Sequence, residues 1–160
     1  MFNKLQVAIV FILVPLGIIF WYTTSEGVSI REIFFPTVNV MHIGDTPVRI
    51  EIANSDEERT QGLSGRDGIE EVSGLLFVFP ENGYHGMWMK DMKFSIDIIW
   101  INEEFEIVQI EKNVSPDTYP KVFRPSVPVR FALETEIRYA DTFGIRVGQK
   151  VTLPPKYLED

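Results

Sequence analysis

Residues 94–101 read Phe94-Ser95-Ile96-Asp97-Ile98-Ile99-Trp100-Ile101. Side chains alternate across an extended chain, so Phe94, Ile96, Ile98 and Trp100 share one face and Ser95, Asp97, Ile99 and Ile101 the other. β-Branched and aromatic residues in such a run favour a strand over a helix. The flanking sequence follows the same pattern. Residues 38–43 and 48–53 alternate on either side of Gly44-Asp45-Thr46-Pro47, which is turn chemistry, and together predict a hairpin with one apolar face. Residues 75–79 (LLFVF) form the continuous apolar run of a strand buried on both faces. Residues 84–89, 105–111, 129–135 and 147–153 are further strands, with Val108 and Ile110 on one core face and Val129, Phe131 and Leu133 on another. Ser55-Asp56-Glu57-Glu58 is a capping box that starts a short helix reaching Gln61, with Gly62 and Gly65 ending it. Residues 137–143 fit one or two helical turns. The expected fold is α+β, mainly β: a compact barrel-like or sandwich domain of seven or eight short strands with one or two short helices.

Outside this domain the chain has a different character. Residues 5–22, LQVAIVFILVPLGIIFWY, carry no charge. Eighteen helical residues rise about 27 Å, close to the roughly 30 Å hydrocarbon core of a bilayer. Trp21 and Tyr22 end the run, where amphipathic rings settle at the headgroups. The expectation is an uncleaved transmembrane helix over residues 1–22, a tether over 23–36 that includes the apolar Ile33, Phe34 and Phe35, and a β-rich domain over 37–160. The alternative is a signal peptide and a secreted mature protein, but the exit residues offer only the poor cut site Ser25-Glu26-Gly27. Lys4 precedes the helix and no basic residue follows it until Arg31, so the positive-inside bias puts the domain outside the cytoplasm.

The formal net charge of −8 gives the chain no general attraction for nucleic acid, and none is expected as a partner. There is no cysteine, which excludes disulfides, zinc–thiolate sites and thiol nucleophiles. His42 and His85 are the two histidines, too few for a multi-histidine metal site in one chain. Neither a Gly-rich phosphate loop nor a G-x-S-x-G elbow occurs. The sequence therefore favours a non-catalytic role, and no cofactor is expected.

The densest block is Gly86-Met87-Trp88-Met89-Lys90-Asp91-Met92, followed by Ile96-Asp97-Ile98-Ile99. With Gly62-Leu63, Arg66, Gly74-Leu75-Leu76-Phe77-Val78-Phe79, Leu133-Glu134, Gly144-Ile145 and Gly148, it falls in the order of the "domain of unknown function 192" family, which the chain resembles over about residues 48–153. The resemblance implies a compact β-rich domain, often behind an export signal or membrane anchor, with no established activity. The chain departs from the family's usual pattern at Ser64, Met92, Ser95 and Thr135.

Three residue groups could carry function. Asp97 and Glu134 sit in otherwise apolar strands, where an unpaired charge is very costly. Arg66 and Arg130 are their candidate partners, in a buried network that fixes the fold. The same two carboxylates could instead do acid–base work, which gives an alternative reading as a hydrolase or lyase. His85, Met87, Met89 and Met92 could together offer soft ligands to Cu(I), a second alternative, although methionines also simply fill cores. Finally, residues 115–128 carry four prolines, and proline pre-orders a loop for docking. The favoured site combines Trp88 and Lys90 with Tyr119, Lys121, Phe123 and Arg124, binding a small ligand, a peptide or another envelope protein.

Overall fold

The structure is a computed structural model. It describes residues 8–14, 17–23, 39–69 and 74–154. The expected tether, with Ile33, Phe34 and Phe35, lies outside the described residues. Strands β1 (Ala8–Val14) and β2 (Gly17–Thr23) pair antiparallel, with Ala8 opposite Thr23 and Val14 opposite Gly17. The helix expected over residues 5–22 is not shown among these described residues. Val10, Ile12, Val14, Ile18, Ile19, Phe20 and Trp21 are strand formers, and Pro15 and Gly17 are poor helix residues, so the local preference is for strand. No helix among the described residues is long and apolar enough to cross a membrane.

The second unit begins at Asn39. Its elements in chain order are β3 (Asn39–Ile43), β4 (Thr46–Ala53), α1 (Asp56–Gln61), β5 (Gly74–Gly83), β6 (Met87–Trp88), β7 (Ile96–Ile101), β8 (Ile107–Val114), β9 (Val122–Phe123), β10 (Val129–Glu136), α2 (Tyr139–Thr142) and β11 (Val151–Thr152). Seven strands form one sheet in the order β11-β3-β4-β5-β10-β7-β8. The predicted hairpin is β3–β4, with Asn39 opposite Ile50 and Ile43 opposite Thr46. Only β4 and β5 run parallel, joined by a crossover that contains α1. α1 starts as predicted: the Ser55 hydroxyl accepts from the Glu58 amide, and the Glu58 carboxylate accepts from the Ser55 amide at 3.0 Å.

The sheet curls into a half-barrel whose edges meet at one end. There Glu106 bridges Lys150, the Ile107 amide donates to the Gln149 carbonyl (3.0 Å), and the Val151 amide donates to the Phe105 carbonyl (2.8 Å). Both sheet faces are covered, so β7 is buried along its whole length and β5 is buried over most of its first six residues, while Pro80, Glu81 and Asn82 are exposed. One face buries Leu76, Ile99, Ile101, Phe131 and Leu133 with Tyr139, Ala140 and Ile145 from α2 and the turn after it. The other buries Leu75, Phe77, Phe79, Ile98 and Trp100 with Leu63, Met87, Met89 and Phe123.

Three expectations shift. Val129 faces away from Phe131 and Leu133, because the β10–β5 register slips between Val129 and Phe131. In β8 the fully buried residue is Ile107, while Val108 and Ile110 are partly exposed. Residues 84–89 yield only the two-residue β6, which pairs with β9 from the proline-rich segment, Trp88 opposite Val122. Gly86 permits that approach: a Cβ there would stand 2.6 Å from Val122 Cγ1.

Candidate functional site

A cleft of about 490 Å³ opens on the second face of the sheet. One wall is α1 and the turn after it, with Arg59, Gly62, Leu63 and Ser64. The floor is Phe77 and Phe79 of β5 with Glu134 of β10. The far wall is His85, Met87, Trp88 and Met92. The two walls are tied together. Ser64 Oγ donates to the Lys90 carbonyl (2.7 Å), the Gly65 amide donates to the Asp91 carbonyl (2.8 Å), and Lys93 pairs with Asp67 (2.8 Å). The Arg59 guanidinium donates to the carbonyls of Asn54 and Val78 and to the Asp56 carboxylate. His85 stacks on Phe79, with ring centroids 3.8 Å apart, and its Nε2 lies 2.8 Å from the Glu81 carbonyl.

Glu134 is the polar group at the bottom of this cleft. It is 3% exposed, and its Oε2 has no hydrogen-bond partner among the described residues. Its neighbours across the ladder are Leu75 and Ile98, both apolar and buried. Burial pushes the carboxyl up to about 8, against the opposing pull of the Arg66 guanidinium. At neutral pH Glu134 is therefore mostly a neutral acid, held in an apolar floor.

Asp97 is the other buried carboxylate, and its partners are backbone amides. Oδ1 accepts from Asn113 (2.8 Å) and Arg138 (3.4 Å), and Oδ2 from Ala140 (3.0 Å). The β7–β8 register slips between Ile96 and Ile98, and Asn113 lies on the bulged strand there with φ of 54°. Arg138, the N-cap of α2, makes no side-chain capping bond. Asp97 thus caps α2 from a distant strand while it closes the bulge of β8.

Of the expected arginine–carboxylate network, the charge of Arg66 acts on Glu134 without a close pair among the described residues. Arg66 pairs with Glu51 at 2.8 Å, and no ion pair among the described residues joins Arg66 or Arg130 to Asp97 or Glu134. Arg130 Nη1 is buried with no hydrogen-bond partner among them. The acid–base pairing also loses its geometry. Thr135 is opposite Asp97 and Glu134 is opposite Ile98, so the two carboxylates point to opposite faces of the sheet and cannot act on one bond.

Of the expected binding residues, Trp88 lines the cleft and is 49% exposed. Lys90, Tyr119, Lys121 and Arg124 are exposed but outside its lining. Phe123 is a core residue, 7% exposed, with Lys121 Nζ 4.2 Å from its ring centroid; opposite Met87 in the β6–β9 pair, it turns inward. Arg124 Nη1 donates to the Tyr84 carbonyl (2.8 Å), which fastens the loop. Of the proposed soft ligands, His85, Met87 and Met92 share the cleft, whereas Met89 is 1% exposed and absent from its lining. Sequence reasoning missed Arg59, Phe77, Phe79 and Pro80 as cleft residues. The alternation of Phe77 with Phe79 marks one face, but nothing in it tells an open floor from a closed core.

Two solved structures share the fold. One, described as a proposed transcription regulator from Sinorhizobium meliloti 1021, superposes with a TM-score of 0.67 at 25% identity, covering 72% of this chain and 92% of that one. The other, a protein of unknown function from Novosphingobium aromaticivorans DSM 12444, gives a TM-score of 0.66 at 20% identity, covering 89% and 91%. No curated protein matches the chain. The family model for DUF192, described as "Uncharacterized ACR", matches residues 38–153. With most of its length matched, the chain belongs to the domain of unknown function 192 family.

Proposed function

We propose that this protein is a membrane-tethered, extracytoplasmic, non-catalytic module that binds a small ligand in the cleft between α1 and residues 85–92. The observation that carries the reading is the Glu134 oxygen without a hydrogen-bond partner at the cleft floor. Buried polar atoms are nearly always satisfied, and because Glu134 lines the cleft, a donor on a bound ligand can supply the missing partner. The volume suits a small molecule, and the apolar and aromatic Leu63, Phe77, Phe79, Met87, Trp88 and Met92 stand beside polar residues of α1, the turn after it and the far wall. Copper handling has less support, since Met89 is buried outside the lining of the cleft that the other three residues share.

The membrane part of the reading rests on the uncharged apolar run at residues 5–22. In a bilayer a lone two-stranded hairpin leaves its outer amides and carbonyls unpaired, whereas a helix satisfies them all. Lipid would therefore favour the helical form of this segment over the strand pair.

The test of the cleft is a fragment screen on the full-length protein carrying ¹³C-methyl methionine. Met87 and Met92 line the cleft, whereas Met41 and Met89 are buried outside its lining. Ligands of the cleft should move the first pair of signals and leave the second. A screen that moves neither Met87 nor Met92 would remove the small-ligand reading.

A further inference from the structure

The cleft also says which charge its ligand carries, an inference that rests on the binding role proposed above. We infer that the ligand is a small organic cation, a primary ammonium on an apolar or aromatic body, whose ammonium hydrogen-bonds Glu134. Three features of the site point this way. The polar group at the floor is a carboxyl whose Oε2 is buried and unpartnered, and a carboxylate is an acceptor with room for several donors. Arg59, the arginine of the lining, is already committed: three of its N–H groups go to Asn54, Val78 and Asp56, and the Asp56 carboxylate pairs its charge. Among the other lining residues, Phe77, Phe79, Met87, Met92 and Trp88 supply aromatic rings and thioethers, groups that suit the body of an amine and the flank of its charge. The chain as a whole is acidic, at −8, and draws cations rather than anions toward the cleft mouth.

Pairing has a proton cost that can be read directly. The titratable and charged groups that share the cleft with Glu134 are Asp56 and Arg59 from α1 and His85 from the far wall, and Arg66 from the α1–β5 connection acts on it through its charge. In the free protein Glu134 holds a proton at neutral pH. When the ammonium docks, the carboxyl gives that proton to solvent and the carboxylate pairs with the intact ammonium, so one proton leaves for each ligand bound. Affinity should rise with pH until Glu134 is ionised in the free protein, near 8.

The experiment uses the full-length protein in phosphatidylcholine nanodiscs with ¹³C-methyl methionine, titrated with 2-phenylethylammonium, 2-phenylethanol and 3-phenylpropanoate. The expected result has the ammonium binding tightest, with shifts at Met87 and Met92 and not at Met41 or Met89. Calorimetry at pH 7 in buffers of different ionisation enthalpy should show proton release. Glu134→Gln should weaken ammonium binding roughly tenfold or more and abolish that release, while unchanged Met41 and Met89 signals certify its fold. Alcohol or carboxylate binding as tightly as the ammonium would overturn the charge assignment and leave the cleft reading standing. So would ammonium binding that is unchanged in Glu134→Gln or releases no proton in the unsubstituted protein. Failure of the broad fragment screen, by contrast, removes the cleft reading itself.

Discussion

Asp97 and Glu134 lie one step apart on neighbouring strands and meet opposite fates. Asp97 is satisfied by amides of Asn113, Arg138 and Ala140, so its charge is held by the backbone. Asp97→Ala strands those amides in a buried place, and each unsatisfied group costs about 1–3 kcal/mol. Denaturant unfolding should show a loss of that order or more, smaller for Asp97→Asn, which keeps one acceptor oxygen. A loss below about 0.5 kcal/mol, typical of surface sites, would contradict the capping role. Glu134 has no such amides among the described residues, and its carboxyl rises from 4.5 to about 8 on burial. Over that window the folded state keeps a proton that the unfolded chain has released. Stability is therefore fully present below about 4.5 and falls as pH rises toward 8, by at most roughly 1.4 kcal/mol per pH unit. Glu134→Gln should flatten that slope. An unchanged slope in the variant would assign the pH dependence to another group.

At the scale of elements, β6 and β9 are too short to persist alone, and each is fixed by what packs behind it. Phe123 anchors β9 in the core, whereas Tyr119, earlier in the same segment, is 49% exposed. Phe123→Ala should cost about 3–5 kcal/mol, the usual loss for truncating a buried aromatic. Tyr119→Ala should stay within about 0.5 kcal/mol of neutral. Urea midpoints of the two variants check the pair, and equal losses would mean that the whole segment is packed. Gly74 is a second element-scale constraint. A Cβ there would lie 2.6 Å from the Glu134 carbonyl oxygen, so the β5–β10 ladder closes only with glycine at this point, beside the cleft floor.

Across the whole molecule, curling solves the edge problem of a seven-stranded sheet. β8 and β11 meet at one end through Glu106 and Lys150, which shields edges that would otherwise recruit other chains. Covering both faces with short loops and two short helices leaves the cleft beside α1, where the walls are joined by Ser64–Lys90 and Gly65–Asp91 rather than filled. The amino-terminal segment is a separate unit. If it anchors the protein as proposed, the full chain will stay with membranes through a carbonate wash and keep its amino terminus. A soluble mature form beginning near residue 28 would rule the anchor out.

What could be read from the sequence alone is what depends on near neighbours. Two-residue alternation located the strands around Ile98 and Leu133, the Ser55–Glu58 spacing located the start of α1, and the apolar surroundings of Asp97 and Glu134 marked both as buried. Periodicity also gave the wrong face for Val129, because one slip of register reverses every side chain beyond it. The partners of those carboxylates required the tertiary structure. The amides that hold Asp97 lie 16 to 43 positions away, and the cleft over Glu134 draws on α1, β5, residues 85–92 and β10 at once. Local sequence sets whether a side chain is apolar and which way it alternates. Only the folded register decides which face meets an open cleft and which a closed core, and so why Glu134 faces a cavity while Asp97 lies beneath α2.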